Sequence, residues 1–107
     1  MLSDEQLHQL FYTKESDIHG NGLFARKKIK QGDYMGEYDG PTVSDNGSHV
    51  LWVEEDEDVW VGRDGKNLLR YINHSKQPQA EFVSFKLYAL RDILPDEEIT
   101  IDYGEEP

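Results

Sequence analysis

The segment Arg70 to Ser75, Arg-Tyr-Ile-Asn-His-Ser, brings an arginine, an asparagine, a histidine and a serine together within six residues. A serine beside a histidine raises the possibility of nucleophilic catalysis. Direct neighbours in sequence cannot form that catalytic pair, and the chain contains no strained Gly-x-Ser-x-Gly elbow to present a serine nucleophile. The segment therefore predicts one of two things: a hydrogen-bonded structural corner or a binding site for a polar ligand.

A second candidate is the glycine pair within Gly20 to Ala25, which matches the dinucleotide-binding pattern G-x-G-x-x-A. That pattern needs a helix directly after it, but Gly32 interrupts the next segment too soon and no strand–helix–strand unit follows. What remains is backbone with little side-chain cover, which suits an ordinary turn or the close approach of a ligand. The four histidines show no metal-ligand spacing and cysteine is absent, so no metal site is predicted.

The charge of the chain restricts its partners. Its 107 residues carry a formal net charge of −11, which repels nucleic acids and favours basic partners, although solubility alone would also account for it. Five consecutive acids, Glu54 to Asp58, indicate either a solvated hairpin tip or a docking surface for a basic peptide. We expect no direct contact with nucleic acid and no membrane span, since no apolar run is long enough.

Localisation follows from the same composition. The acidic N-terminus does not resemble a secretory signal, and the absence of cysteine is compatible with a reducing compartment. We therefore expect an intracellular protein, cytoplasmic if the host is bacterial, with a nuclear location still open.

The elements that must position these residues are short. Ser3 and Gln6 have the spacing of a capping box, which predicts a helix over 4–11, and Lys66 to Asn73 predicts another short helix. Short apolar runs between turn residues predict strands over 23–25, 34–38, 50–53, 59–61, 81–91 and 99–102. The chain is thus predicted to be one mainly β domain over 1–107, with 1–11 as an N-terminal helix or leader.

Four motifs become specific in combination. HGNGLFA (19–25), GEYDG (36–40), RYINHS (70–75) and EEITIDYG (97–104), in this order, resemble the SET domain of protein lysine methyltransferases. The resemblance extends from about Phe11 to Gly104. It implies a SET-like (β-clip) fold of small curved sheets with little helix. Its C-terminal segment would thread under a preceding loop as a pseudoknot, so that RYINHS and the final motif meet.

The resemblance also implies a reaction, in which S-adenosyl-L-methionine donates a methyl group to a lysine of a basic protein such as a histone. Tyr103 matches the catalytic tyrosine of the family. Residues matching the donor-binding positions are Gly20, Asn21, Gly22, Arg70, Asn73 and His74. Tyr38, Phe82 and Ile101 match positions that line the lysine channel, and the apolar character of the last two favours di- or trimethylation.

The chain departs from the family pattern after Ser75. The family commonly reads NHSCxPN, but Lys76 replaces the cysteine and Gln79 replaces the last asparagine. Without cysteine, a zinc-bound post-SET segment is not expected, so the chain resembles a minimal SET domain lacking pre-SET and cysteine-rich post-SET modules. A second subunit in a homodimer, the N-terminal helix or the substrate would then complete the lysine channel. The alternative function is a catalytically silent SET-like module that binds a basic peptide.

Overall fold

The computed structural model describes residues 2–103; Met1 and residues 104–107, including Gly104 of the last motif, lie outside the described part. The chain is mainly β, as predicted. Within residues 2–103 the one α-helix is α1 (Asp4–Leu10), and a single 3-10 turn spans Leu68–Tyr71. The strands are β1 (Phe11–Glu15), β2 (Asn21–Ala25), β3 (Tyr34–Glu37), β4 (Thr42–Val43), β5 (Val50–Asp56), β6 (Val59–Asp64), β7 (Asn73–His74), β8 (Ala80–Val83), β9 (Lys86–Ala89) and β10 (Glu98–Ile101).

The strands form three small sheets, in the orders β1-β2-β10-β7, β3-β9-β8 and β4-β6-β5. Between them lies one apolar core, which includes Phe11, Leu23, Leu87 and Ile99, all fully buried. A single small core is what a chain of 107 residues, 36% of them hydrophobic, can form. No helix within residues 2–103 has the length and apolar character needed to cross a membrane.

The last strand joins two distant parts of the chain. Strand β10 runs antiparallel to β2 on one side and parallel to β7 on the other, where Thr100 pairs with Asn73 and Ile101 with His74. The backbone N–H of Ser75 donates to the Ile101 carbonyl at 2.9 Å. This pairing brings RYINHS and EEITIDYG to one place, as the predicted pseudoknot requires.

The N-terminal helix forms as its capping residues predict. The Ser3 hydroxyl accepts the Gln6 N–H at 3.2 Å, and the Gln6 side chain accepts the Ser3 N–H at 2.9 Å. The helix ends one residue earlier than predicted, because Phe11 adopts extended backbone (φ −136°, ψ 159°) and begins β1. Leu7 is 1% exposed and packs at Gly36, which occupies the bulge of β3.

Two of the predicted elements were wrong in their extent. The single strand predicted over 81–91 is the hairpin β8–β9, because Ser84 adopts a positive φ of 56° and reverses the chain. The helix predicted over 66–73 is reduced to one 3-10 turn, since Asn73 and His74 pair with β10 instead. Strands β1, β4 and β7 were not predicted, because two of them span only two residues and β1 is mostly exposed.

Gly36→Ala should destabilise the fold. Gly36 has φ +118°, and an added Cβ would lie 2.8 Å from Leu7 Cδ2. Backbone strain of this kind costs about 1–3 kcal/mol, and the clash would add to it. Urea denaturation should show a lower free energy of unfolding. Gly47→Ala is the matched control, because its Cβ would meet only Val50 Cγ2 at 3.4 Å. Equal effects of the two changes would refute the packing of α1 against the β3 bulge.

Candidate functional site

Tyr103 is anchored to the RYINHS segment through both its backbone and its side chain. Its hydroxyl donates to the Ile72 carbonyl at 2.5 Å, and its backbone N–H donates to His74 Nδ1 at 2.9 Å. The rings of His74 and Tyr103 lie 5.1 Å apart, centroid to centroid, at a tilt of 52°. The β7–β10 pairing therefore places these two side chains at a single site.

The bond from Tyr103 also defines the chemical state of His74 in this arrangement. A backbone N–H can only donate, so Nδ1 must accept, and the proton of the neutral imidazole is then on Nε2. The Asp102 carboxylate lies 3.8 Å from the same Nδ1. Protonation of Nδ1 would replace the bond to Tyr103 with an interaction with Asp102. In the observed geometry His74 Nδ1 holds the Tyr103 backbone in place.

Tyr38, at the end of β3, lies in the core beside this pair. It is 6% exposed, and its hydroxyl donates to the His49 carbonyl at 2.6 Å. The Phe82 ring packs against it edge-on at 5.6 Å. Gly65 provides the space for the phenol, since a Cβ there would lie 2.5 Å from the Tyr38 hydroxyl oxygen. Two of the three predicted channel residues are therefore in contact.

Both phenols are neutral at physiological pH. Burial, and to a lesser extent the neighbouring Tyr103, raises the pKa of Tyr38 to about 12. Burial also raises the pKa of Tyr103. Although 60% of Tyr103 is exposed, its hydroxyl end is held in a partly buried position against the Ile72 carbonyl. Neither hydroxyl can act as a general base near pH 7, because phenolate is almost absent there.

Asn73 connects β7 to the glycine segment. Its amide nitrogen Nδ2 donates to the His19 carbonyl at 3.0 Å and to Glu98 Oε2 at 2.8 Å. The Ser16 hydroxyl donates to the same carboxylate at 2.8 Å. A Cβ on Gly22 would collide with the Glu98 side chain. A side chain at position 22 would therefore have to displace the Glu98 carboxylate, which Asn73 and Ser16 hold in place.

The other predicted donor-binding residues differ in their surroundings. Gly20 and Asn21 are exposed, and no atom lies within 4 Å of a Cβ built on Gly20, so its backbone is open. Arg70 has different neighbours: its guanidinium is over the Tyr71 ring at 5.5 Å, and its carbonyl contacts His49 Nδ1 at 3.2 Å. Arg70 Nε is buried without a hydrogen-bond partner among the described residues.

Ile101, the remaining predicted channel residue, is 6% exposed and joins the core. Ile101 precedes Tyr103 by two residues, and its backbone pairs with that of His74. Sequence reasoning did not assign a role to Glu98, His49 or Gly65. Glu98 stands inside the EEITIDYG motif and could have been singled out there, whereas a carbonyl partner such as that of His49 leaves no signal in side-chain types.

A cavity of about 610 Å³ is lined in part by His49, whose carbonyl accepts the hydrogen bond from the Tyr38 hydroxyl. The β4–β5 loop forms half of its wall, and the wall carries charges of both signs, from Asp45 and Asp64 and from Lys66 and Arg70. The complete lining is Thr42, Val43, Ser44, Asp45, Asn46, Gly47, Ser48, His49, Val50, Asp64, Lys66 and Arg70. The segment that carries the Tyr38 hydrogen-bond acceptor thus also forms part of the wall of this cavity.

Comparison with known proteins defines the class of this fold and site. The family model described as SET domain matches residues 20–104, which is most of the chain. In structure, the chain resembles the methyltransferase domain of human histone-lysine N-methyltransferase SETMAR. The TM-score is 0.75 and the identity 21%, with 87% of this chain and 44% of that chain covered. The chain belongs to the SET domain family.

Curated relatives are similar over most of this chain but are far longer. The H3 lysine-4 specific histone-lysine N-methyltransferase of Schizosaccharomyces pombe is 34% identical over 82% of the chain and 12% of that protein. The putative histone-lysine N-methyltransferase 1 of Plasmodium falciparum is 32% identical over 86% of the chain, and TRX1 of Oryza sativa is 32% identical over 83%. The chain spans 2% and 11% of those two proteins, respectively.

The raised pKa of Tyr38 predicts a loss of stability in alkali. In the unfolded chain a tyrosine ionises near pH 10, whereas the folded chain keeps Tyr38 protonated to about 12. The unfolded state therefore loses its proton first, and folding stability falls as pH rises from about 10 to about 12, by roughly 3 kcal/mol for this group.

Urea denaturation across that pH range should show a shallower decline in Tyr38→Phe than in the unmodified chain. Tyr88→Phe, which changes a tyrosine of β9 outside the site, should leave the slope unchanged. A decline unaffected by Tyr38→Phe would contradict the assigned burial of this phenol.

Proposed function

We propose that the chain is an S-adenosyl-L-methionine-dependent protein lysine methyltransferase domain that acts on a lysine of a basic protein. The observation that carries the proposal is the arrangement of Tyr103, which is tied to Ile72 and His74 beside the buried Tyr38. Family membership and the names of the relatives, several of which are histone-lysine N-methyltransferases, support the same reaction.

The residues present fit the methyl donor in their chemistry. The exposed backbone of Gly20 and Asn21 offers hydrogen-bonding groups without side-chain cover, and Arg70 has a buried Nε without a partner. His74 would contribute its Nε2–H and its ring. Asn73 would act mainly through position, since it ties the His19 carbonyl to β7 and so holds the glycine segment in place. When bound, the donor supplies an electrophilic methyl group on a sulfonium.

Tyr103 has an oxygen suited to orienting the reacting groups. Its proton is committed to the Ile72 carbonyl, so the oxygen lone pairs remain free to accept from a lysine N–H or a polarised methyl group. Methyl transfer from sulfur to nitrogen is in line, and alignment can supply roughly 7–11 kcal/mol of the barrier reduction. We assign Tyr103 this orienting role.

The lysine must lose its proton before it can attack. A free lysine has a pKa near 10.4, and an apolar channel with a nearby sulfonium would lower it. Because Tyr38 and Tyr103 stay neutral, the proton leaves to water rather than to a tyrosine. Phe82 packs on Tyr38 and offers no hydroxyl to hold a water molecule, which favours a product with more than one methyl group.

The alternative is a SET-like module that binds a basic peptide without catalysis. One observation favours it: Tyr103 is 60% exposed, whereas a tyrosine that orients methyl transfer requires a site closed to water. In the enzymatic proposal the bound substrate, or another chain, provides that cover.

Tyr103→Phe should lower methyl transfer by about 10- to 100-fold, because loss of the hydroxyl removes both the anchor to Ile72 and the orienting oxygen. The measurement is transfer of labelled methyl to histones and other lysine-rich proteins, followed by mass spectrometry of the product. Tyr88→Phe is the matched control and should retain activity. Equal transfer by Tyr103→Phe and the unmodified chain would overturn the role assigned to Tyr103.

His74→Ala should weaken binding of S-adenosyl-L-methionine by about tenfold or more, the effect of losing one hydrogen bond to a charged ligand. Isothermal titration calorimetry measures this directly, and His8→Ala, an exposed histidine of α1, serves as the control. If the folded, unmodified chain shows no donor binding, the silent binding module replaces the enzyme as the proposed function.

A further inference from the structure

The sheet β4-β6-β5 has one face towards the core and one face towards solvent. Leu51, Val53 and Val61 pack against the core, and Arg63 lies over the Phe85 ring at 4.0 Å. Side chains alternate along a strand, so the neighbouring positions lie on the opposite face. We call that opposite face the outer face; from the register it carries Val43, Val50, Trp52, Glu54, Trp60, Gly62 and Asp64.

Both tryptophans of the chain lie on this outer face. Trp60 is 56% exposed and pairs across the strands with Glu54, while Trp52 pairs with Gly62. The Trp52 ring lies flat over that glycine, since a Cβ at Gly62 would be 2.9 Å from it. Its indole N–H donates to Asn46 Oδ1 at 3.1 Å, which fixes the ring. The two indoles are thus diagonal neighbours on a solvent-facing surface.

Large aromatic side chains in this position need an explanation. The core of a small domain gains most from burying tryptophan, yet here neither indole is fully buried. Tryptophan is enriched at the energetic centres of protein interfaces, and a rigid ring held in place by its neighbours loses little entropy on binding. The outer face therefore has the composition of a docking surface.

The charge around the indoles identifies the kind of partner. The acids Glu54 to Asp58 are all exposed at the tip of the β5–β6 hairpin, and no lysine or arginine occurs between Val50 and Gly62. Carboxylates attract cationic side chains, and indole faces bind them through cation–π interactions. A lysine- and arginine-rich segment matches both features. A second copy of this acidic face would be repelled.

The outer face is physically connected to the candidate site. Val43, Val50 and Asp64 belong both to the outer face and to the wall of the 610 Å³ cavity. The backbone carbonyl of His49, next to Val50, accepts the hydrogen bond from the Tyr38 hydroxyl. A chain bound across the indoles would therefore lie beside the wall that positions a channel residue.

We propose that the outer face, centred on Trp52 and Trp60 and bordered by Glu54 to Asp58, binds a lysine- and arginine-rich segment of the protein substrate outside the lysine channel. That the bound partner is the substrate rests on the function proposed above. Binding of a cationic segment does not depend on methyl transfer, so the two can be tested separately.

The test uses an arginine-rich peptide without lysine, which cannot be methylated, and a peptide of the same sequence with citrulline in place of each arginine. Isothermal titration calorimetry gives the affinity, and intrinsic fluorescence reports on the two tryptophans. The arginine peptide should bind, change the tryptophan emission and weaken with rising salt. The citrulline peptide should bind much less.

Two variants locate the site. Trp60→Ala should weaken binding of the arginine peptide by about fivefold or more. Glu54→Gln/Glu57→Gln should weaken it comparably, whereas the matched pair Glu15→Gln/Asp17→Asn, which removes two exposed acids near the end of β1, should not. Because Trp60 and these acids are exposed, circular dichroism should show that all variants fold.

Equal weakening by both acid pairs would mean attraction to net charge alone and would overturn the proposal. So would peptide binding that Trp60→Ala leaves unchanged, or a dimer in sedimentation that Trp60→Ala dissociates, which would make a second copy the occupant. Methyl transfer that depends on Tyr103 without any docking of the arginine peptide would overturn the docking surface but leave the proposed function standing. Docking without transfer would support the surface and exclude the enzyme.

Discussion

The structure depends on a parallel pairing only two residues long. Strands β7 and β10 join through Asn73 and His74 on one side and Thr100 and Ile101 on the other. Such a contact between distant segments must offset the entropy of closing the intervening loop, and two pairs of residues stabilise it only weakly. Hydrogen bonds that involve side chains add to the stabilisation: Asn73 donates to Glu98, and the Tyr103 N–H donates to His74. The bonds that complete the fold are thus the bonds that assemble the candidate site.

The two tyrosines of the site are also fixed by hydrogen bonds to the fold. Each phenol hydroxyl donates its proton to a backbone carbonyl, Tyr103 to Ile72 and Tyr38 to His49. A carbonyl has no proton to return, so each phenol oxygen keeps acceptor capacity and each phenol stays neutral. Burial reinforces this by raising both pKa values. The result is a pair of fixed, uncharged acceptors, which suits the orientation of a cationic reactant better than proton abstraction does.

The sequence predicted some features well because their causes are local. The capping box of α1 involves residues three apart, and the strands of the core follow from short apolar runs. The prediction of one continuous strand over 81–91 was wrong, because nothing in the composition of this segment marks Ser84 as a residue with positive φ. Strand β7 was missed because its partner lies far away in sequence.

Within the site, the meeting of RYINHS and Tyr103 was predictable from the family resemblance. The hydrogen-bond partners of Asn73, Tyr38 and Tyr103 were not predictable, since these side chains donate to the backbone carbonyls of His19, His49 and Ile72, respectively. Gly22 shows the limit most clearly. Its pattern predicts approach to a ligand, and the structure adds that the Glu98 side chain occupies the space where its Cβ would be. A glycine required for internal packing and one required for a ligand look alike in sequence.

The acids of the β5–β6 hairpin have a consequence for the unbound chain as well. Strand β5 is at the edge of its sheet, near the exposed Trp60, and an edge strand beside an exposed aromatic ring favours association between like chains. Charged residues at such an edge oppose that association, because two copies would bring their acidic tips together. Repulsion between like chains and attraction to a basic chain are the same electrostatic field acting on different partners. An aromatic surface can therefore stay exposed in an acidic chain and still be selective for cationic segments.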